Sequence, residues 1–378
     1  MHLVDITMFH AAQGGGVSTY LNAKARWLAM RHANIRHTIF SPDPCLAQRP
    51  SVRAIPGIAL PGMHGYRMPW SVRAPARLLR AAQPDLVEAG DAGHCAWAAL
   101  RLQDQLGIPA VAFYHSDLPD LLARRFGPGG ACIARRYVAH LYRQFTLVLA
   151  PSRLMVRRLA DMGVADAVHQ PLGIDSTVFH PQRRSAALRG QLGLAAGTRL
   201  LVYAGRFTAE KKLGLLFEAV QRLGAPYHLL LIGSGAPVPP SAHITCLPFQ
   251  REQRALARLL ASCDVLVHPG DCETFGLIVL EAMACGLPVV ATDGGGVAEL
   301  VDRHTGILAR PDSAASLAEA ITAVYEADLT EMGARGRQRA ADHHDWEQVL
   351  PQLLDRYGAV LGGRQHALAT PERVCISD

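Results

Sequence analysis

The stretch His268–Gly296 reads HPGDCETFGLIVLEAMACGLPVVATDGGG. A predicted strand, Val265–His268, runs into it. A turn follows with Asp271 and Glu273, and Phe275-Gly276 opens a helix that carries Glu281. A second predicted strand, Val289–Thr292, ends in three glycines. Both strands are continuous apolar runs, the mark of strands covered on both faces in a parallel sheet. Gly276 lets the backbone come close to a ligand. The free amides at the start of the helix suit an anion such as a diphosphate. Carboxylates such as Glu273 and Glu281 accept several hydroxyl donors, as a bound sugar offers. Glu281 sits inside the apolar run Leu277–Ala284, where a carboxylate without a partner is costly.

The same rhythm of short apolar strand, turn and amphipathic helix extends in both directions. Strands are predicted at Leu3–Phe9, Ile35–Ser41, Leu86–Ala89, Ala110–Tyr114 and Thr146–Ala150. A second set is predicted at Leu200–Ala204, His228–Ile232 and Ile244–Leu247, beside the two above. The fold class is therefore α/β, with two doubly wound, Rossmann-like halves. A chain of 378 residues also fits about two domains at roughly 100–200 residues each. A Pro- and Arg-rich stretch near His180–Ser185 breaks the pattern. The expected units are 1–182 and 183–345, followed by a helix over 346–361 and a loosely ordered tail over 362–378. Such sheets bind ligands beyond the carboxyl ends of their strands, and two of them suggest a site in the cleft between.

Other strand ends carry chemistry too. AGRFTAEKK, Ala204–Lys212, places Arg206 and Lys211 on one loop, where they can clamp a diphosphate. Read alone, a solvated basic loop fits equally well. QGGGVSTYL, Gln13–Leu21, puts Gly14, Gly15 and Gly16 between a strand and a helix, in a position to approach a phosphate. It is no dinucleotide fingerprint, because Thr19 replaces the third glycine and no acid occurs between Asp5 and Asp43. A plain turn remains the alternative. FYHSDLPD, Phe113–Asp120, ends a strand at His115, a candidate for hydrogen bonding to a sugar hydroxyl. Gly235 ends another strand in a turn that is either a ligand loop or structural.

Composition narrows the class further. Apolar residues make up 49% and charged residues 19%, as in a folded globular chain. No apolar run reaches the roughly 18 residues of a membrane span. The eight scattered cysteines include no C-x-x-C pair, which fits a reducing cytoplasm. No two aspartates lie two apart, so a D-x-D metal–diphosphate motif is missing, and no metal site is expected. Residues 1–180 hold 19 Lys and Arg against 11 Asp and Glu (+8), and residues 181–378 hold 19 against 21 (−2). The basic half suits an anionic partner, or is simply scattered solvated arginine. Leu121–Phe145 carries five arginines among apolar residues and fits either an anionic bilayer face or an ordinary solvated helix pair broken at Gly127–Gly130.

Glu273-x7-Glu281 within E-T-F-G-L-I-V-L-E-A-M-A-C-G-L-P-V-V-A, the A-G-R-x4-K loop, and PLGIDSTVFHP at Pro171–Pro181 together resemble the retaining glycosyltransferases of family 4. The resemblance covers nearly the whole chain. It implies a glycosyltransferase-B fold, two facing Rossmann-like domains with the site between them. It implies a UDP- or GDP-sugar donor in the second domain, held without a metal or other cofactor. Glu281 would take the ribose hydroxyls and Glu273 those of the donor sugar. Arg206 and Lys211 would hold the diphosphate, with amides at Phe275, Gly276 and Leu277. His115 would lie beside the donor sugar, and the helix from Trp346 would cross back to the first domain. Thr274 and Lys212 stand where many members carry glycine.

The implied function is metal-independent transfer of a hexose, by same-face attack, to a hydroxyl of a glycan or lipid-linked acceptor. The first domain would bind that acceptor, and no nucleic acid is implied. The place of action would be the cytoplasm, or the inner face of the cytoplasmic membrane. A sugar-nucleotide epimerase or a non-catalytic nucleotide-sugar-binding protein of the same fold are the alternatives. A pyridoxal-phosphate phosphorylase would need a Schiff-base lysine, and the chain has only Lys24, Lys211 and Lys212.

Overall fold

The computed structural model describes residues 1–12, 14–59 and 65–369, with side chains through residue 362. Gln13, the start of the glycine turn, and the end of the expected tail (370–378) lie outside the described residues. The chain divides into two compact units. One comprises 1–151, 155–170 and 350–378, and the other 152–154 and 171–349.

The first unit is built on β1 (His2–Ile6), α1 (Gly16–Arg31), β2 (Arg36–Ser41), β3 (Val52–Ala54), a small antiparallel ribbon of β4 (Ile58–Ala59) and β5 (Arg67–Met68), α2 (Arg73–Ala82), β6 (Leu86–Ala89), α3 (His94–Leu106), β7 (Ala110–Phe113), α4 (Leu118–Tyr142), β8 (Leu147–Ala150), α5 (Arg153–Asp161, its first two residues counted with the other unit) and β9 (Val168–His169). Its sheet runs β3-β2-β1-β6-β7-β8-β9, with every pair parallel. The order reverses between β1 and β6, where Asp5 and Glu88 stand directly opposite each other.

All five strands predicted in this half are present. β1 stops at Ile6 instead of Phe9 because side chains take its next amides: Asp91 accepts from Met8 N at 2.8 Å and Thr7 Oγ1 from Phe9 N at 3.0 Å. The short edge strands β3 and β9 are additions. The predicted break in α4 is a kink at Gly127, with φ 68° and ψ −164°.

The second unit contains α6 (Leu188–Gln191), β10 (Arg199–Phe207), α7 (Leu213–Leu223), β11 (Tyr227–Gly235), β12 (Ile244–Pro248), α8 (Gln253–Ala261), β13 (Val265–His268), α9 (Leu277–Ala284), β14 (Val289–Thr292), β15 (Gly306–Ala309), α10 (Ala314–Glu326) and α11 (Leu329–His344). Its sheet is also wholly parallel, in the order β12-β11-β10-β13-β14-β15, and reverses between β10 and β13. Leu201, Tyr203, Leu229, Leu231, Val265, Val267 and Val290 point to one face of it, against Leu216 and Val220 of α7 and Leu317, Ile321 and Val324 of α10. The period-2 alternation of strands and the apolar stripe of each helix meet there, and the result is two parallel-sheet, Rossmann-like units.

The boundary falls at Gln170–Pro171 and not after residue 182. Ile174 explains the shift: its N–H donates to His344 O at 2.7 Å and its carbonyl accepts from Trp346 N at 2.9 Å. Ser176 N donates to Asp345 Oδ2 at 3.1 Å. The last helix, α12 (Trp346–Ala369), runs beyond the expected 361, so residues 362–369 are helical and not loosely ordered. From Leu350 onward it is counted with the first unit.

Candidate active site

The reversal between β10 and β13 concentrates the predicted residues of the second unit. β10 ends with Arg206 and Phe207. A short 3₁₀ turn, Ala209–Lys211, then leads into α7. β13 ends at His268, and residues 269–276 lead into α9. Crevices at such reversal points are where doubly wound sheets take ligands.

Lys211 Nζ is paired with Glu273 Oε1 across these two loops. His268 Nε2 lies 3.3 Å from the same oxygen. Burial alone would raise the pKa of Glu273. Lys211 and His268 outweigh it and hold the carboxyl well below the usual carboxylate range. Burial would likewise lower Lys211, and Glu273 more than offsets that. The two residues expected to serve different parts of a donor are therefore in contact with each other. Arg206 makes no side-chain hydrogen bond among the described residues. Its carbonyl is fixed by Tyr203 Oη at 3.0 Å.

Lys212, which the family resemblance set against a glycine, adopts a left-handed conformation with φ 50°. A lysine is tolerated there because its Nζ reaches Asp271 Oδ2 at 2.5 Å and Asp312 Oδ1 at 2.7 Å. Lys24, the remaining lysine, is buried against Asp5 at 2.7 Å. All three lysines are thus paired with carboxylates.

Gly276 caps α9 with φ 105°, and a Cβ there would sit 2.6 Å from Val297 Cγ2. No side chain caps the helix, and Val279 N donates to Gly276 O at 3.0 Å, so the amide offered to an anion is the one at the very start, Leu277. The Phe275 ring is buried against His344, with centroids 5.8 Å apart, so a ligand contact at this position is left to the backbone. The turn at Gly294–Gly296 passes directly behind the carboxylate loop: Gly296 N donates to Glu273 O at 2.6 Å, and a Cβ at Gly295 would lie 2.7 Å from that oxygen. Glu281, in the second turn of α9, is 8% exposed and its carboxylate has no hydrogen bond among the described residues. Burial pushes its pKa up to about 8. Gly235 has a structural reason, since a Cβ there would meet Phe207 O at 2.4 Å.

Gly14, Gly15, Gly16 and His115 belong to the first unit, at the carboxyl ends of β1 and β7. A Cβ on Gly14 would fall 1.9 Å from Ser18 Oγ, a packing reason for this glycine. Gly15 faces open space and donates to Tyr66 Oη at 3.3 Å. His115 stacks on Phe113 at 4.1 Å and is buried, which pulls its pKa down to about 3. It is a neutral hydrogen-bonding group at ordinary pH. Asp117 caps α4 and pairs with Arg158.

His268, Tyr203 and the Gly294–Gly296 turn were not singled out from the sequence. The histidine carried a usable signal, a polar residue closing an apolar strand five positions before Glu273. The tyrosine carried none, because its hydroxyl contact depends on the local fold. Among the described residues no group of three or more His, Cys, Asp or Glu is gathered as a metal would require. No helix among them is long and apolar enough to cross a membrane.

Residues 14–178 match the family model described as Glycosyltransferase Family 4, and residues 198–327 match the model described as Glycosyl transferases group 1. A GDP-mannose-dependent alpha-mannosyltransferase of Mycobacterium tuberculosis is 32% identical over 76% of each chain. The chain belongs to glycosyltransferase family 4. A second relative, the GDP-mannose-dependent alpha-(1-6)-phosphatidylinositol dimannoside mannosyltransferase of Mycobacterium tuberculosis, is 30% identical over 95% of this chain and 97% of its own. Among solved structures, sucrose-phosphate synthase from Thermosynechococcus elongatus superposes with a TM-score of 0.80 at 21% identity, over 96% of this chain and 100% of that one. This glycosyltransferase therefore has the glycosyltransferase-B fold, with its two halves matching the two family models in turn.

Proposed function

We propose that this glycosyltransferase moves mannose from GDP-mannose to a hydroxyl of a glycan or lipid-linked acceptor, with retention at the anomeric carbon and without a metal. The observation that carries the reading is the arrangement at the β10/β13 reversal. Lys211 and Glu273 meet there across two strand-end loops, with Arg206 at the end of β10 and the uncapped start of α9 on the same pair of loops. Arg206, Lys211 and the α9 amides would hold the diphosphate, Glu281 the ribose and Glu273 the sugar. The mannose donor follows the GDP-mannose dependence of the relatives above.

Same-face attack suits these residues. One oxygen of Glu273 is already taken by Lys211 and His268, which favours hydroxyl binding over the covalent route of a free nucleophilic carboxylate. The leaving diphosphate oxygen would accept the acceptor's proton while its bond to the sugar breaks. Arg206 and Lys211 would stabilise the charge that grows there, where electrostatic catalysis is largest. Those two cations would supply the positive charge that a divalent ion supplies in other transferases.

The first unit would receive the acceptor, while its Gly14–Gly16 turn and His115 would contribute to holding the donor. Exposed Leu121, Phe126 and Ile133 on α4 stand among exposed Arg124, Arg125, Arg135 and Arg136. That mixture supports peripheral contact with the anionic membrane in which a lipid-linked acceptor resides. The test is transfer from GDP-α-mannose in EDTA, with the product anomer read by NMR. An α-linked product at undiminished rate is expected. A β-linked product, or activity abolished by EDTA and restored by a divalent ion, overturns the reading.

A further inference from the structure

We propose that His268 is a positioning residue of the donor site: its Nε2–H holds one oxygen of Glu273 and turns the other toward the hydroxyls of the donor sugar. The inference rests on the reading of Glu273 as a sugar-binding carboxylate.

His268 closes β13 at the sheet reversal and is 2% exposed. Nε2 lies 3.3 Å from Glu273 Oε1, and this is the ring's polar contact among the described residues. Nδ1 is buried and has no hydrogen-bond partner among the described residues. That favours the Nε2–H tautomer. A proton on Nδ1 would be a buried donor with nothing to receive it, whereas a proton on Nε2 points at a carboxylate. The ring is held in place by packing. Tyr203 lies 6.2 Å away centroid to centroid, and Gly270 passes so close that a Cβ there would be 3.2 Å from Cε1.

Lys211 shares Glu273 Oε1. A diphosphate competes for the same ammonium, which leaves His268 as the group that continues to orient the carboxylate once the donor is bound. The histidine then matters more to the donor complex than to the free fold, which is the opposite of a core histidine.

Gln and Asn separate the two roles. The amide nitrogen of H268Q reaches the place of Nε2, and that of H268N reaches only the place of Nδ1. Calorimetric titration with GDP and with GDP-mannose gives the affinity added by the sugar, and kcat is measured alongside. H268Q is expected to keep that increment and kcat within about threefold, and H268N to lose about tenfold or more of each, the scale of a hydrogen bond to a charged group. GDP alone is expected to bind both variants as it binds the wild type. On an E273Q background H268N is expected to add less than about twofold, because coupled residues are not additive. Equal behaviour of H268Q and H268N, or a parallel loss of GDP binding in both, overturns the proposal. If E273Q itself leaves the sugar increment unchanged, the donor-site reading has failed instead.

Discussion

Glu281 shows how much a single residue can say. A carboxylate inside the apolar run of α9 was anomalous in the sequence, and the structure keeps the anomaly: it is buried, without a hydrogen bond among the described residues, and raised to about 8. Below that pH the free protein carries it neutral, and only the ionised form accepts from both ribose hydroxyls at once. Nucleotide binding is therefore expected to tighten as pH rises from about 6.5 to 8.5, and Glu281→Gln to flatten that slope. Isothermal titration across the range checks it; a slope unchanged in the variant would remove Glu281 from the ribose site. Glu273, Arg206 and Lys211 were legible for a similar reason, since charged groups at strand ends have few structural uses. His268 was not, because a buried histidine looks the same in sequence whether it packs or positions. Lys212 was read only as a departure from a glycine pattern, and its left-handed backbone, secured by two aspartates, could not be read without Asp312 beside it.

At the scale of elements, the strands were legible because parallel strands covered on both faces leave continuous apolar runs. The short edge strands β3 and β9 were not, having too few buried residues to leave a pattern. Lys24 was a missed sign. It falls on the buried face of α1 with Tyr20, Trp27 and Leu28. Its ammonium meets Asp5 at 2.7 Å, Tyr357 Oη at 2.8 Å and Glu88 at 3.5 Å. Tyr357 also donates to Glu88, so α12 is locked to the sheet through a buried polar network. Burial, opposed by Lys24 and aided by Asp5, raises Glu88. Tyr357→Phe leaves a buried carboxylate oxygen and an ammonium short of partners. A loss of about 1–3 kcal/mol is expected by denaturant unfolding. A change near zero would mean that apolar burial of residues such as Leu353 holds the helix unaided.

The whole molecule is divided by charge as well as by fold, +8 over residues 1–180 and −2 over 181–378. The near-neutral second unit grips its proposed anionic donor with a few placed groups, while the basic first unit carries its arginines at the surface, several of them on α4. Vesicles containing anionic lipid are expected to float with the protein at low salt and release it as salt rises. Equal behaviour with neutral vesicles, or no flotation, would assign those arginines to a soluble acceptor or to solvent. The two-unit architecture was legible from strand rhythm alone. The boundary was misjudged because Ile174 and Ser176 join the second unit through residues more than 160 positions away.

The central claim is that the β10/β13 reversal of the second unit is a nucleotide-sugar site. Thermal unfolding with GDP, UDP, ADP and their sugars tests it most directly. GDP-mannose at about 100 times its Kd should stabilise the protein by about 2.7 kcal/mol, and the Arg206→Ala/Glu281→Ala double variant should lose that shift. If no nucleotide or nucleotide sugar moves the transition, or if the double variant responds as fully as the wild type, the site is not where these residues place it.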